Sequence, residues 1–394
     1  MKMPMKPLPN DIMILGVGMT PVGEHWDRSL RDLALEAIQN ARRAAPGIQP
    51  QVLYTANMLA PCLSQQTQLA TLIADFAALQ GIEAMTVEAA GASGGLAFRQ
   101  AVLALASGQM DTALVVGVEK FSERVTSDVE AALATAGDGD YEAIHGLTNT
   151  AQAALLMQRY LHDNHAPADA LAGFPLIAHE NGAHNPLAMF QRAIPEGRYQ
   201  KAAMLCTPLN MFDAAPQADG AAAILLARSD AVADEMNLPR VRVRASAAST
   251  DALAVHDRPD PLSFTAAATA TSQALQQAGL KLDDVDFFEL HDRFSIFAAL
   301  SLEAAGFAPH GEGWKLAQNG AVKADGSIPI CTMGGSKARG DAGGAAGLYQ
   351  LVETVLQLQG LAGEAQLPHA QIGMAQCLGG AASTAVTHIL ERVK

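Results

Sequence analysis

A chain of 394 residues, 49% of them hydrophobic, has apolar mass for one large core or two fused halves, which excludes general disorder. Only 17% of residues are charged and 5% aromatic, a balance that suits close packing of small side chains. The net charge of −14 leaves no basic stripe for a nucleic-acid backbone, yet a phosphate-bearing small ligand or a basic protein partner remains compatible.

In chain order, MKMPMKPLPN has lysines but no apolar stretch behind them, so no secretory signal is expected. No apolar run approaches membrane-spanning length. DIMILGVGM reads as a strand, and SLRDLALEAIQNARRAA as an amphipathic helix with Ser29 near its cap. QVLYTANM, MTVEAA and TALVVGVE read as further strands, with helices over Gln66–Leu79 and Gly94–Ser107 between them. From roughly Lys120 to Pro216 the alternation breaks into acidic and Gly-rich loops, a helix at TAQAALLMQRYLHDNH and the polar run HENGAHNPLAMFQ. A long insertion without strands of its own is expected to be a functional lid. The alternation restarts near residue 240 with RVRVRASAAS as a strand, FTAAATATSQALQQAGL as a helix and DVDFFEL as a strand. A helix, a strand and a helix follow, and IGMAQCLGG with STAVTHILE closes the chain as an antiparallel pair. Such alternation predicts mainly parallel sheets covered by helices, and the two runs read as a weak internal duplication in element order.

The strand MTVEAA enters GASGG and then a helix, which places backbone N–H groups where an anion or developing oxyanion can be held. Gly91-Ala92-Ser93-Gly94-Gly95 formally fits Gly-x-Ser-x-Gly, the nucleophile elbow of serine hydrolases, with Ser93 as nucleophile. The competing reading is a tight turn without chemistry. No persuasive Asp and His follow for a hydrolase triad. The four cysteines, Cys62, Cys206, Cys331 and Cys377, are far apart without a Cys-x-x-Cys pair. Neither cysteine-bound metal nor a disulfide framework is expected, and a reducing, cytoplasmic setting is.

VEAAGASGGLAFRQAVLALASGQMDTALVVGVEKFS is similar to the nucleophile region of the thiolases, where a strand leads into Cys-Ala-Ser-Gly. HENGAHNPLAMFQRAI, CTPLNMFDAAPQADGAAAILLA, ELHDRFSIFAALSLEAAGF, GGSKARGDAGGAAGLYQ and AQCLGGAASTAVTHI resemble further blocks of the sterol-carrier-protein-type and archaeal-type thiolases. They occur in order over roughly residues 10–392. The resemblance implies an α/β fold of two similar βαβαβαββ halves, packed as a five-layer αβαβα unit. The expected halves are 10–235, including the insertion at about 120–216, and 236–394.

Carried over position by position, the family's working parts are partly present. Gly91 stands where the resemblance puts the acyl-accepting cysteine, and Asp341 where it puts a histidine that polarises the thioester oxygen. His291-Asp292-Arg293-Phe294 keeps the His-Asp-x-Phe block, and Cys377, followed by Leu378, Gly379 and Gly380, keeps the second catalytic cysteine. The resemblance makes His291, Cys377 and Asp341 catalytic candidates, with Gly91 and Gly379 as backbone oxyanion donors. Ser93, Phe294 and Gly380 are the substrate-binding candidates. The competing roles are a core histidine for His291, a buried small hydrophobe for Cys377 and a solvated carboxylate for Asp341. Asp341 could act as a neutral donor after burial or pair with a protonated His291. Cys62, Cys206 and Cys331 are expected in the core and His184 and Asn185 in structural roles, while Lys337 and Arg339 either face a ligand phosphate or stand in solvent, the second being preferred.

Without a thiol at 91 the covalent acyl-enzyme route is closed. The double change at 91 and 341 argues against a single engineered knockout. Three readings follow. The first is carbon–carbon bond cleavage or formation beside a CoA thioester, as in thiolase-like aldolases, with Cys377 and His291 as acid/base and Tyr349 a lesser contributor. The second is an inactive subunit that binds acyl-CoA or scaffolds an active homologue. The third is a hydrolase using Ser93. No bound cofactor is expected beyond the CoA thioester as substrate or ligand. The resemblance also implies a homodimer or larger homo-oligomer and a small OB-fold/zinc-ribbon acyl-CoA-binding partner.

Overall fold

Apolar spacing and caps place the first elements where the sequence predicts them. The computed structural model describes residues 6–9, 11–231 and 240–393. Strand β1 (Ile12–Met19) leads to helix α1 (Leu30–Arg43). Ser29 caps α1 reciprocally: its hydroxyl accepts the Asp32 N–H while the Asp32 carboxylate accepts the Ser29 N–H. Strand β2 (Val52–Ala56), helix α2 (Leu69–Phe76), strand β3 (Glu83–Val87), helix α3 (Ser93–Ala106) and strand β4 (Thr112–Glu119) follow. The insertion holds helices α4 (Thr126–Ala134), α5 (Asn149–Asp163) and α6 (Gly173–Gly182), and it does carry strands. Strands β5 (Met204–Cys206) and β6 (Leu209–Asn210) form a small antiparallel hairpin, against expectation. Strand β7 (Gly220–Arg228) closes the first half.

The second half repeats the order. It runs through strand β8 (Arg240–Thr250), helix α7 (Thr265–Ala278), strand β9 (Phe287–Glu289), helix α8 (Ser295–Ala305) and helix α9 (Gly313–Gln318). Helix α10 (Ala346–Gln359) and strands β10 (Ile372–Gly379) and β11 (Thr384–Val393) complete it. The strand expected between α8 and α10 is reduced to one parallel bridge, Phe288 to Ile330. The expected division at 235/236 lies outside the described residues, as do the limits at 10 and 394.

Among the described residues nine strands form one sheet, in the order β3-β2-β4-β7-β1-β8-β11-β10-β9. The sheet is mixed, not mainly parallel. β3–β2, β2–β4 and β9–β10 run parallel, while β4–β7, β7–β1, β1–β8, β8–β11 and β11–β10 run antiparallel. The cause is the last strand of each half, β7 and β11, which returns antiparallel between its neighbours. The halves join edge to edge through β1 and β8, at Met13–Arg242 and Ile14–Val241.

Burial on both faces explains why these strands read as continuous apolar runs. In β4, Ala113 and Val115 face one core while Leu114, Val116 and Val118 face another. Helices α1 and α2 cover the outer face of the first half and α7 and α8 that of the second, with α3 and α10 packed between. That is the expected five-layer order. The middle helices touch closely because their crossing is built of glycine: a Cβ on Gly94 would sit 2.4 Å from the Leu348 backbone nitrogen. Among the described residues no helix is long and apolar enough to cross a membrane.

Candidate functional site

The N-terminal ends of α3 and α10 meet beneath the loop that follows β9. Residues Ala90–Ala92 form a 3-10 turn that runs straight into α3, and Gly91 lies at its centre, buried. A side chain at 91 would collide with its surroundings. Its Cβ would lie 2.7 Å from the Leu378 carbonyl oxygen and 2.9 Å from Cε1 of His291, with Nε2 at 3.4 Å. The imidazole therefore presents its Cε1–Nε2 edge to the place a side chain of residue 91 would occupy.

His291 is buried, and its Nδ1 has no hydrogen-bond partner. Burial holds its pKa below the usual histidine range, although the nearby Asp341 charge pulls the other way. The ring is thus biased toward the neutral form, which suits a proton acceptor. A narrow cavity of about 10 Å³, room for roughly one water, borders Gly91, His291, Arg293, Phe294, Leu378 and Gly380. Arg293 and Phe294 also border a much larger cavity of about 1120 Å³ beneath the insertion. Phe294 packs against Phe297, with ring centroids 5.2 Å apart.

Other candidates are placed differently from the sequence reading. Cys377 points away from the cavity. Its Sγ is fully buried, lies 3.7 Å from the Gly347 carbonyl, and is close enough to Gly95 and Gly347 that a Cβ on either would approach it to 2.8 Å. Burial pushes its thiol pKa up to about 12, so proton exchange near neutrality is suppressed. The physical reason is strand alternation: Leu378 faces the cavity, so its neighbour Cys377 faces the middle helices. Gly379 sits in the β10–β11 ladder opposite Thr384, and its carbonyl accepts the Ser383 hydroxyl; Leu378 and Gly380 line the cavity instead.

Ser93 is also committed elsewhere. Its hydroxyl donates to the Ala90 carbonyl at 2.6 Å and accepts the Ala89 N–H at 2.8 Å, and it has no exposed surface. It braces the turn. Asp341 is buried rather than solvated, and it pairs with Arg293 at 3.4 Å and accepts the Gly343 N–H, not with His291. Lys337 and Arg339, expected in solvent, are buried. Arg339 pairs with Glu353, and Lys337 donates to the Asp213 carbonyl at 2.7 Å. Tyr349 is buried against Thr20 and lies outside the cavity wall. Cys62 is exposed, Cys206 half-buried and Cys331 buried, so only the last is a core cysteine as expected. Asn185 donates to the Met333 carbonyl, and the exposed His184 lies 3.6 Å from Glu364.

Several residues at the site are not singled out by sequence motifs. Arg293 lies inside the His-Asp-x-Phe block, at its variable position. Met58, Asn149 and Gln152 line the cavity with no local signal, since they come from a loop and from α5. Glu119, at the end of β4, braces the site from behind. It accepts from Asn57 and from the backbone N–H groups of Met58, Leu59 and Gly344, and burial raises its pKa to about 7.

Comparison with known proteins agrees with this architecture. Residues 12–205 match the thiolase N-terminal domain, and residues 247–392 match the thiolase C-terminal domain-like family. The acetyl-CoA acetyltransferase of Methanothermobacter thermautotrophicus is 38% identical over 97% of this chain and 100% of its own length. The 17-hydroxy-3-oxo-4-pregnene-20-carboxyl-CoA lyase of Mycobacterium tuberculosis is 28% identical, over 88% of this chain and 91% of its own. An Ltp2-ChsH2(DUF35) aldolase structure superposes with a TM-score of 0.83 at 20% identity, over 98% of each chain. The chain belongs to the thiolase family.

Proposed function

We propose that this protein acts on a CoA thioester and breaks or forms a carbon–carbon bond beside the thioester carbonyl without acylating itself. The observation that carries the reading is the pairing of Gly91 with His291. A neutral imidazole edge occupies the space that a side chain at 91 would need, and no thiol borders that cavity. Gly91 stands where the family resemblance places the nucleophilic cysteine, so a cysteine-linked intermediate has no attachment point there.

In the cleavage direction, His291 takes the proton from a hydroxyl on the carbon β to the thioester. The Cα–Cβ bond breaks, the β carbon leaves as a ketone or aldehyde, and the electron pair becomes the thioester enolate. The same proton returns from the imidazolium to the α carbon, which balances the reaction. The backbone N–H of Gly91, at the entrance to α3, is the candidate donor to the enolate oxygen. The Arg293–Asp341 pair and Phe294 position the acyl group where the two cavities meet. The Mycobacterium tuberculosis relative is named a CoA lyase, which supports this reaction class. The larger cavity, with Arg192 and Arg198 exposed at its edge, is the candidate site for the rest of the CoA ester.

Further parts of this reading concern assembly and setting. The open edge of β3, with Met85 exposed, supports a homodimer formed by strand pairing. The similar aldolase structure is named as a pair, Ltp2-ChsH2(DUF35), which supports a small acyl-CoA-binding partner of the OB-fold/zinc-ribbon type. Four unbridged cysteines suit a cytoplasmic setting.

The test is a mass-spectrometric screen of β-hydroxyacyl-CoA esters for release of a ketone or aldehyde, in the presence of proteins encoded by neighbouring genes. His291→Ala is expected to abolish release and Cys377→Ala to retain it; full activity in His291→Ala would overturn the mechanism. Gly91→Cys is expected to give no thiolysis, because the new Cβ collides with the Leu378 carbonyl. A fluorophosphonate is expected to leave Ser93 unlabelled. The narrowness of the inner cavity favours one second reading, an inactive acyl-CoA-binding subunit. Binding of every ester without turnover would select it.

A further inference from the structure

Two amide side chains on the wall of the inner cavity are turned the same way by their neighbours. Asn149 and Gln152 stand three residues apart in the first turn of α5, on one face, and both border the cavity that holds Gly91 and His291. The Asn149 Nδ2 donates to the Leu133 carbonyl at 3.2 Å, and the Gln152 Nε2 donates to Oε1 of Glu142 at 3.1 Å. Neither amide can be reversed. A carbonyl only accepts, and the buried Glu142 already takes the Val255 N–H on Oε1 and the Asp138 N–H on Oε2, so each partner calls for an N–H. What remains of each amide is its oxygen. Among the described residues neither Asn149 Oδ1 nor Gln152 Oε1 accepts a hydrogen bond, and neither is sealed off by the protein as Nδ1 of His291 is.

Two open acceptors define what they can recognise. A carboxylate or phosphate brings no proton and would face two partial negative charges. An ammonium would enter beside the Arg293 guanidinium, which borders the same cavity. A neutral O–H donor fits, and a cavity of about 10 Å³ suits a group the size of one hydroxyl. Met58, Ala90, Phe297 and Leu378 offer the rest of the acyl group only apolar contact. Under the reading above, the reacting β-hydroxyl gives its proton to His291. The amide pair is thus left for a second hydroxyl, on the fragment that leaves as a ketone or aldehyde.

We infer that Asn149 and Gln152 select an acyl group with a hydroxyl beyond the β carbon, so that the preferred substrate is a dihydroxyacyl-CoA thioester. This rests on the CoA-thioester reading above and narrows it. Isothermal calorimetry with the full chain tests it on esters that lack the β-hydroxyl and so escape cleavage. The pairs are 4-hydroxybutyryl-CoA against pentanoyl-CoA and 5-hydroxypentanoyl-CoA against hexanoyl-CoA, each exchanging one hydroxyl for a methyl of similar size. The wild type is expected to bind the hydroxylated ester of at least one pair about tenfold more tightly, the scale of one buried hydrogen bond. With Gln152→Met and Asn149→Leu combined, that ratio is expected to fall to near one or below. A wild-type ratio near one or below in both pairs overturns the proposal and leaves the CoA reading standing. A double variant that weakens both members of a pair equally also overturns it, because the amides would then serve the fold or the pantetheine that every ester shares. The wild-type comparison decides the matter even if the double variant does not fold. Binding of no ester overturns both readings.

Discussion

The two helices of the middle layer are built alike and used differently. Helices α3 and α10 have 14 residues each, and each is entered through a three-residue 3-10 turn of Gly and Ala. The first residue of each turn is left-handed, Ala90 at φ +50 and Gly343 at φ +52. What differs is the side chain each turn offers. The first presents Gly91, bare, against His291, while just before the second stands Asp341, held by Arg293. Duplicated backbone thus preserves two sets of helix-terminal N–H groups, while chemistry is decided by a few side chains around them.

The strongest way to break the pair is at its crossing. Gly94→Val would drive a branched side chain into the Leu348 backbone, 2.4 Å from the would-be Cβ. Backbone cannot yield as a side-chain tip does, so a loss of about 3 kcal/mol or more is expected in urea unfolding. Next comes the asymmetry of function. His291→Ala is expected to lower turnover by about 100-fold or more, with an unchanged circular-dichroism spectrum. Cys377→Ser is expected to change turnover little, since its thiol faces Gly95 and Gly347. The pH profile sharpens the same contrast. With the His291 pKa held below about 6.5, the base form persists as pH falls through 6.5, so the acid limb of kcat/KM is expected below that value.

A smaller effect separates the helices by their pH response. The His388 Nε2–H donates to the Gly95 carbonyl at 3.1 Å behind α3, and burial pushes the ring's pKa down to about 3. The unfolded chain binds that proton below about 6.5 and the folded one does not, so stability rises with pH between those values and is lost as pH falls. His388→Gln is expected to flatten the urea midpoint between pH 5 and 6.5, by roughly 1 kcal/mol per pH unit. A wild-type midpoint already flat over that range would count against it.

Much of this was legible before any coordinates, and the failures have a common origin. Alternating apolar segments, the Ser29 cap and the repeated element order fixed the layers, because local periodicity reports which face is buried. The mixed sheet was not legible, since an apolar run carries no strand direction. Gly91 and His291 were found from motif position, and the structure brings them together. Cys377 was read from the same kind of motif, yet a one-residue step along β10 turns its side chain to the opposite face. Residue type favours solvent for Lys337 and Arg339, and only tertiary packing shows that insertion and helix layers close over them.

The finest test of the comparison is Ala90→Gly, which makes the first turn match the second. A non-glycine residue in the left-handed region costs about 1–2 kcal/mol. Replacing it by glycine also frees the unfolded chain, which costs about 0.4–1 kcal/mol. The difference is a net gain of about 0.5 kcal/mol, provided that the Ala90 methyl contributes little. That methyl packs with Met58, Leu59, Leu63 and Phe121 in a small cluster beside the turn, and the Ala90 N–H donates to the Glu88 carboxylate at 2.6 Å. A urea midpoint slightly above wild type would mean that Ala90 stores strain one residue before Gly91, where it fixes the direction of the Gly91 N–H. A loss above about 1 kcal/mol would mean that methyl packing outweighs strain, and that the first turn is held by its cluster while the second is held by its glycine.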